Sequence, residues 1–348
     1  MKVIVVSGPR GAEPMGLELA ELRLLDALRA ARKSIELDIR VVGGRAARRH
    51  ARRVHGQWIP AIPARPWATA WRGADLVHLI GLDLPPPKKR PFVAMVHDLS
   101  PLHYDDEGTL PPWIKEIAER AELLLTPSAF TADELHRHLN VPRERVHIIG
   151  GAPVLEAAHA EPLSSAELRG LGVEPPFVLR YGGYTARKNV SRLLEAWAKV
   201  PFGTLVLAGP RQAARKDILA AAPSLERVVV LDYVPQVLLA QLLRSAAVLA
   251  STSLYEGFGL PPLEALAAGT PVVAVATPVA EEVCGNAAIL VKDEADALGD
   301  AIRRVLTENE LADQLRQAGQ GRAAGSCWSS AAAEVLRAYA RAGETAKL

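Results

Sequence analysis

Short runs of β-branched and aliphatic residues alternate with helix-like stretches along most of this 348-residue chain. This alternation is typical of parallel sheets, because parallel neighbours must be joined by a long crossover that is usually helical. The predicted strands form two series. The first is Val3–Val6, Ile35–Val42, Leu76–Ile80, Phe92–Val96, Leu123–Thr126 and Val146–Ile149, and the second is Phe177–Tyr181, Leu205–Leu207, Val228–Leu231, Val248–Ala250, Pro271–Val275 and Ala288–Val291.

The two series indicate two α/β domains. The stretch between them is rich in Pro, Glu and Ala and carries no strand pattern. We therefore predict a Rossmann-like N-terminal domain over residues 1–155, a linker over 156–176 and a Rossmann-like C-terminal domain over 177–328. An amphipathic pattern from Ser326 to Tyr339 predicts a last helix.

Composition excludes several classes of protein. Hydrophobic residues make up 49% of the chain and charged residues 23%, which is typical of a globular protein. Apolar runs such as Val272–Ala276 are far too short to span a bilayer. A net charge of +2 does not by itself indicate nucleic-acid binding. Cys284 and Cys327 lack metal-ligand spacing, so we expect reduced thiols and a cytoplasmic protein.

Residues 253–273 contain the most informative motif. Glu256 and Glu264 flank a loop with glycines at 257 and 259, and a short apolar helix follows the loop. Glycines let the backbone approach a ligand closely, and a helix N-terminus favours a phosphate group. A carboxylate can accept two hydrogen bonds from a diol. The segment therefore predicts a site for a phosphorylated ligand that also carries sugar hydroxyls.

A second motif follows the first predicted strand of the C-terminal half. It reads Tyr-Gly-Gly-Tyr-Thr-Ala-Arg-Lys-Asn over residues 181–189. Arg187 can hold two phosphate oxygens at once, whereas Lys188 acts as a point charge. Taken alone, the same residues also fit a solvated turn with two exposed cations.

A third motif, His97-Asp98-Leu-Ser-Pro-Leu-His103, follows the predicted strand Phe92–Val96. The carboxyl ends of parallel strands are where open α/β sheets bind ligands. A neutral imidazole at His97 can donate or accept one hydrogen bond with a sugar hydroxyl. The alternative is that His97 and Asp98 only cap the next segment, and that His103 is a loop residue.

A basic stretch of the N-terminal half has helical spacing, with aromatic residues and further basic residues after it. If residues 45–55 are helical, five arginines form one cationic face that can contact an anionic membrane or a phosphorylated acceptor. A plain solvated face is the alternative. The residues are Arg45, Arg48, Arg49, Arg52 and Arg53, then Trp58, Trp67 and Trp71, and then Lys88, Lys89 and Arg90.

The segment from Glu256 to Gly269 resembles the donor-site signature of the family 4 retaining glycosyltransferases, and residues 181–189 and 97–103 are similar to further stretches of that family. The resemblance implies the GT-B fold, with two Rossmann-like parallel-sheet domains facing a cleft and a C-terminal helix, residues 329–348, that crosses back to the first domain. It is close over residues 90–330 and holds only in outline before residue 90.

The resemblance also implies roles for individual residues. The catalytic set would be His97, Arg187, Lys188 and Glu256. The donor-binding set would be Gly183, Gly257, Phe258, Gly259, Leu260, Glu264, Tyr233 and Val234, and the acceptor side would be Gly16, Asp98 and His103. No Asp-x-Asp metal motif is evident, so the resemblance implies two cations in place of a metal, and no cofactor.

The implied activity is transfer of a hexose from a nucleotide diphosphate sugar to a hydroxyl of a glycan or lipid-linked acceptor, with retention of configuration. The histidine motif favours mannose. The alternatives are a nucleotide-sugar epimerase or phosphorylase of similar shape, or a non-catalytic binding protein. We expect a cytoplasmic location, with peripheral membrane contact through the Arg45–Arg53 face and no nucleic-acid partner.

Overall fold

The computed structural model describes residues 1–8, 16–31, 35–60, 70–210 and 212–345. The chain divides into two compact units. The first unit comprises Met1–His103, Thr109–Val154 and Cys327–Leu348, and the second comprises Tyr104–Gly108 and Leu155–Ser326.

Each unit is built on one parallel sheet. Among the described residues, the first sheet has seven strands in the order β3-β2-β1-β4-β5-β6-β7, and the second has six in the order β10-β9-β8-β11-β12-β13. The strands are β1 (Lys2–Ser7), β2 (Glu36–Gly43), β3 (Gln57–Pro60), β4 (Leu76–Leu79), β5 (Phe92–Met95), β6 (Leu123–Thr126), β7 (Val146–Ile148), β8 (Phe177–Tyr181), β9 (Thr204–Ala208), β10 (Val228–Leu231), β11 (Val248–Ser251), β12 (Val272–Val275) and β13 (Ile289–Val291).

Helices connect most of the strands. They are α1 (Gly16–Ala31), α2 (Arg45–Arg53), α3 (Ile114–Arg120), α4 (Ala129–Leu139), α5 (Ser165–Gly170), α6 (Val190–Trp197), α7 (Ala213–Ala220), α8 (Gln236–Ser245), α9 (Leu260–Ala268), α10 (Pro278–Cys284), α11 (Ala295–Thr307), α12 (Asn309–Ala323) and α13 (Trp328–Thr345). Central strands such as β4, β5, β9 and β12 are buried along their whole length, because helices cover both faces of each sheet. The predicted pair of Rossmann-like sheets is confirmed.

The last helix, α13, packs within the first unit. Val335, Ala338 and Tyr339 are buried in one cluster with Leu24 and Leu28 of α1. The hydroxyl of Tyr339 also lies 2.7 Å from Nδ1 of the buried His78 on β4. The predicted return of the C-terminal helix to the first domain is therefore confirmed, and apolar burial is its main cause.

Two parts of the chain differ from the prediction. Strand β3 was not predicted, because it is only four residues long and ends on a proline, and it pairs with β2 alone at the sheet edge. Residues 156–176, which were predicted as a linker without assigned elements, lie in the second unit and contain α5. Ser164 and Glu167 form a capping box there, a signal that the Pro- and Glu-rich composition obscured.

Candidate functional site

The second sheet reverses its strand order between β8 and β11, which are neighbours. The loops that follow such a pair run in opposite directions and leave a crevice where α/β proteins bind ligands. A short 3₁₀ turn, Ala186–Lys188, follows β8, and the loop that carries Glu256 follows β11. The backbone N–H of Leu254 donates to the carbonyl of Arg187 at 2.8 Å, so the two loops are fixed to each other.

Arg187, Lys188 and Glu256 meet at this point. Oε2 of Glu256 accepts from Nη1 of Arg187 at 2.8 Å, and its Oε1 accepts from Nζ of Lys188 at 2.5 Å. Burial raises the pKa of Glu256, but the two cations outweigh it and lower the pKa to about 2. Burial lowers the pKa of Lys188, and the Glu256 carboxylate opposes that change. The structure thus brings together three of the predicted catalytic residues in an ionised cluster.

An acidic segment of the second unit also contacts the cations. The 3₁₀ turn Asp105–Glu107 places the Glu107 carboxylate 2.5 Å from Nε of Arg187. The neighbouring Asp106 accepts from the backbone N–H of Ala186 at 2.6 Å. These are a guanidinium and a bare amide, which are the donors that a phosphate would use. Sequence reasoning missed this segment, which is about 80 residues away from its partners along the chain.

Arg180 is a further residue that the sequence reading missed. It is only 4% exposed, and its guanidinium donates to the carbonyls of Gly182, at 2.9 Å, and Gly183. Burial lowers its pKa to about 10, so the side chain stays protonated near neutral pH. A charged residue inside an apolar strand was the available signal, since such a residue must find partners when it is buried.

The glycine turn at residues 182–183, whose carbonyls accept hydrogen bonds from Arg180, tolerates few substitutions. Gly182 has a φ of +115°, which favours glycine. A Cβ atom on Gly209 would lie 2.1 Å from the carbonyl oxygen of Gly182, so the two backbones approach too closely for any side chain there. The predicted donor residue Gly183 lies in this turn, and its own Cβ would lie 3.0 Å from Oε1 of Gln212.

Glu264 lies in α9, which begins after Gly259 at a φ of +84°. Its side chain accepts from the backbone N–H of Leu155 at 3.2 Å and from the hydroxyl of Tyr181. Glu264 is 4% exposed, and burial together with its charge raises the pKa of Tyr181 well above its ordinary value. The predicted contact of Glu264 with a ribose stays a prediction, because the described carboxylate serves internal partners.

The other predicted donor residues lie in two places. Gly257 and Gly259 are buried in the loop after β11, and the side chains of Phe258 and Leu260 beside them are half-buried. Tyr233 and Val234 follow β10, the edge strand of the second sheet, which lies two strands from β8. Tyr233 is exposed, and its role toward a donor stays a prediction.

In the first unit, His97 follows β5, and its Nε2 lies 3.3 Å from the carbonyl oxygen of Ile80 and 3.4 Å from the buried carboxylate of Glu21. Oδ1 of Asp98 accepts from the backbone N–H and the hydroxyl of Ser100, at 3.0 and 2.7 Å. Asp98 thus fixes the start of the following 3₁₀ turn through Ser100, while the N-cap position itself is Leu99. The roles of both residues toward a substrate stay predictions.

The remaining acceptor-side residues are also in the first unit. Gly16 is the first residue of α1, and residues 9–15 of the loop before it lie outside the described residues. Nε2 of His103 lies 2.5 Å from Oε2 of Glu134 on α4. Ser128 caps α4 by accepting from the backbone N–H of Thr131 at 3.0 Å.

The basic stretch is helical, as α2, but its cationic face is smaller than predicted. Arg48, Arg49 and Arg52 are exposed. Arg53 instead pairs with the buried Glu18 of α1, because a buried carboxylate requires a partner. The side chain of Arg45 and all of Trp67 lie outside the described residues.

Among the residues that the structure describes, no helix combines the length and apolar composition that crossing a bilayer requires.

Two family models match this chain. The model described as "Glycosyltransferase Family 4" matches residues 16–152, and the model described as "Glycosyl transferases group 1" matches residues 167–322. The first match falls in the N-terminal half. The second covers the point between β8 and β11 where the strand order of the second sheet reverses, which is its switch point.

Curated relatives support the same relation. The chain is 29% identical over 241 residues to O-antigen chain mannosyltransferase B of Escherichia coli, which covers 65% of this chain and 62% of that protein. It is 28% identical over 239 residues to a D-inositol 3-phosphate glycosyltransferase of Mycobacteroides abscessus, covering 66% of this chain and 54% of that protein. The chain thus spans less than two thirds of the length of these relatives.

A solved structure shares the fold over nearly the whole chain. The crystal structure of Anabaena Alr3699/HepE in complex with UDP and glucose is 18% identical, with a TM-score of 0.74 over 98% of this chain and 99% of that one. WaaG, a glycosyltransferase involved in lipopolysaccharide biosynthesis, has a TM-score of 0.69 at 16% identity over 97% of this chain and 99% of that one.

Proposed function

We propose that this chain, which belongs to the family 4 glycosyltransferases and has their GT-B fold, transfers a hexose from a nucleotide diphosphate sugar to a hydroxyl of a glycan or lipid-linked acceptor. The observation that carries the proposal is the cluster of Arg187, Lys188 and Glu256 at the switch point of the second sheet. Mannose is the expected hexose, since a relative is named a mannosyltransferase.

The cations suit the leaving group of such a reaction. When the bond from sugar to diphosphate breaks, negative charge builds up on the phosphate oxygens. Arg187 and Lys188 would stabilise that charge in place of a divalent metal, and the buried Arg180 fixes the adjacent glycine turn. Arg187 pairs with both Glu107 and Glu256, so a bound diphosphate would replace Glu107 on the guanidinium.

The cluster also favours a mechanism without a carboxylate nucleophile. The charge of Glu256 is already shared by two cations, and its pKa of about 2 makes it a poor base. We therefore propose a retaining reaction in which the departing phosphate accepts the proton of the acceptor hydroxyl on the same face of the sugar. The protein would contribute position and charge, with Glu256 and the amides of residues 257–260 holding the sugar.

A nucleotide-sugar screen tests this function. UDP-, GDP- and ADP-hexoses are added to the wild type, to Glu264→Gln and to the exposed control Glu281→Gln, and the melting temperature is measured. One class of donor should raise the melting temperature of the wild type and of the control, and raise that of Glu264→Gln less. If no donor stabilises the wild type, the proposed donor site is wrong.

Product analysis then separates the reaction classes. With the stabilising donor and a glycan or lipid-linked acceptor, mass spectrometry should detect a product that is one hexose heavier. An isomerised sugar formed without acceptor would indicate an epimerase instead, and a requirement for free phosphate would indicate a phosphorylase.

For the acceptor side, we propose that the exposed face of α2 contacts an anionic membrane or acceptor. Arg48→Glu combined with Arg52→Glu should lower both sedimentation with anionic liposomes and turnover of a lipid-linked acceptor. Glu36→Lys, a charge change on an exposed residue of β2, is the control. Unchanged liposome binding and turnover in the double variant would mean that this face of α2 contacts neither the membrane nor the acceptor.

A further inference from the structure

Three side chains of the first unit form a cluster apart from the charge cluster of Arg187, Lys188 and Glu256 in the second unit. His103 follows the 3₁₀ turn Ser100–Leu102, and Glu134 and His138 lie one turn apart on α4. One ligand atom from each of the three lies within 4.8 Å of the others. Among the described residues this is the group of histidine and carboxylate side chains whose geometry suits a metal ion.

The distances are close to those of a zinc site. Nε2 of His138 lies 3.5 Å from Oε1 of Glu134, and Nε2 of His103 lies 2.5 Å from Oε2 of the same carboxylate. Tetrahedral zinc with bonds of about 2.0–2.2 Å holds its ligand atoms about 3.4 Å apart. Nε2 of His138 already lies at this spacing from Oε1, whereas Nε2 of His103 would have to move about 1 Å away from Oε2. Because the two distances involve different carboxylate oxygens, Glu134 would also have to rotate so that one oxygen binds the ion.

Burial and access also suit an ion. The side chain of Glu134 is 3% exposed, whereas those of His103 and His138 are 31% and 38% exposed. A buried carboxylate therefore forms the floor of the cluster, and two imidazoles at the surface leave a path from solvent. The two rings already meet edge to face with centroids 5.2 Å apart.

One cation competes for the same carboxylate. Nη1 of Arg137 donates to Oε1 of Glu134 at 3.0 Å. Its side chain is 59% exposed and its Nη2 lies 4.0 Å from Asp133, so Asp133 is an alternative partner when an ion occupies Glu134. This competition predicts that the loss of Arg137 strengthens metal binding.

From this geometry we infer that His103, Glu134 and His138 form a zinc site with a fourth position open to water. Two histidines and one carboxylate are a ligand set that zinc accepts. A bound ion would join the segment that begins at His97 to α4, so its role is structural and lies outside the charge cluster of the second unit.

The test uses the untagged protein and zinc alone. Dialysis against a zinc buffer, followed by metal analysis, should give one ion per chain in the wild type and in His136→Ala, a matched control on the same helix. His103→Ala and His138→Ala should each weaken binding at least about tenfold. Arg137→Ala should bind zinc more tightly than the wild type.

A second readout guards against variants that fail to fold. Cobalt added to the wild type should give the visible absorption of a tetrahedral site, which zinc should then displace. A wild type that retains less than one zinc per chain overturns the inference, and so does zinc binding that is unaffected by both histidine variants. A negative zinc result does not contradict the proposed transferase function, because the donor screen depends on residues of the second unit.

Discussion

The two sheets share a topology, yet they carry different chemistry at corresponding places. In the second sheet the strand order reverses between β8 and β11, and the loops after these strands carry Arg187, Lys188 and Glu256. In the first sheet the order reverses between β1 and β4, while the predicted His97 follows β5, one strand further along. The fold thus offers two crevices, and the side chains decide which one holds a diphosphate.

The state of the polar groups differs as well. In the second unit, buried cations and carboxylates are paired in a way that one incoming anion can rearrange, since Glu107 and Glu256 share Arg187. In the first unit, Asp98 accepts hydrogen bonds from Ser100, and His97 lies beside a backbone carbonyl and the buried Glu21. The comparison predicts that charge changes in the second unit alter diphosphate binding, and that changes at His97 do not.

The largest effect is expected from Arg187→Ala. Removal of a cation that stabilises the leaving diphosphate should lower the rate of transfer about 100- to 1,000-fold. Steady-state kinetics with the donor found in the screen measures it. Arg192→Ala is the matched control, because Arg192 is a nearby arginine that pairs with Glu195 and Asp293. Equal rates of transfer for the two variants would mean that Arg187 does not stabilise the leaving diphosphate.

Acid should destabilise the two units over different pH ranges. Burial, with a smaller contribution from His97, lowers the pKa of His78 in the first unit from 6.5 to about 3. Below about pH 6.5, His78 is protonated in the unfolded chain but stays neutral in the folded chain. The free energy of unfolding therefore falls as pH drops from 6.5 towards 3. The depressed pKa of Glu256 in the second unit contributes stability that is lost only from pH 4.5 down to about 2.

Denaturant unfolding between pH 7 and pH 4 measures the contribution of His78 to this pH dependence. One such proton changes the folding equilibrium up to about tenfold per pH unit. His78→Gln should reduce the pH dependence in this range, while the exposed His136→Gln should leave it unchanged. An unaltered pH slope in His78→Gln would contradict the account.

A smaller loss is expected from His97→Ala. If His97 donates or accepts one hydrogen bond to the transferred sugar, its removal should lower the rate of transfer about tenfold. The affinity for the nucleoside diphosphate should be unchanged, because the diphosphate cations lie in the second unit. Isothermal titration with the diphosphate and kinetics with the full donor separate the two quantities. A loss of diphosphate affinity in His97→Ala would break the division between the units.

The smallest effect on the donor site, a gain in affinity, is expected from Glu107→Gln. This change removes a carboxylate that competes with phosphate for Arg187, so nucleoside diphosphate affinity should rise about two- to fivefold. The control Asp105→Asn lies in the same acidic turn and is exposed. Unchanged or weaker binding in Glu107→Gln would mean that Glu107 does not compete with the ligand.

The two sheets were readable from the sequence because parallel strands buried on both faces are continuous apolar runs. Strand β3 was missed since it is a short edge strand that ends on proline, and α5 was missed because linker-like composition hid its capping box. The motifs also indicated that Arg187, Lys188 and Glu256 belong to one site.

What the sequence did not indicate is which side chains of the site pair with one another. Glu256 is 69 residues away from Arg187, and Glu107 is 80 residues away from it on the other side. Pairings of this range depend on where the strands place their loops, and no local pattern encodes them. Arg180 is marked in the sequence as a charge within an apolar strand, but its partners could not be predicted because they are backbone carbonyls.

A crystal structure with the nucleoside diphosphate of the preferred donor is the sharpest test of the proposed donor site. We expect the diphosphate to contact the side chains of Arg187 and Lys188, and the Glu107 carboxylate to have moved off the guanidinium. A saturated crystal in which the diphosphate binds elsewhere, with the ion pair of Arg187 and Glu107 intact, would contradict it.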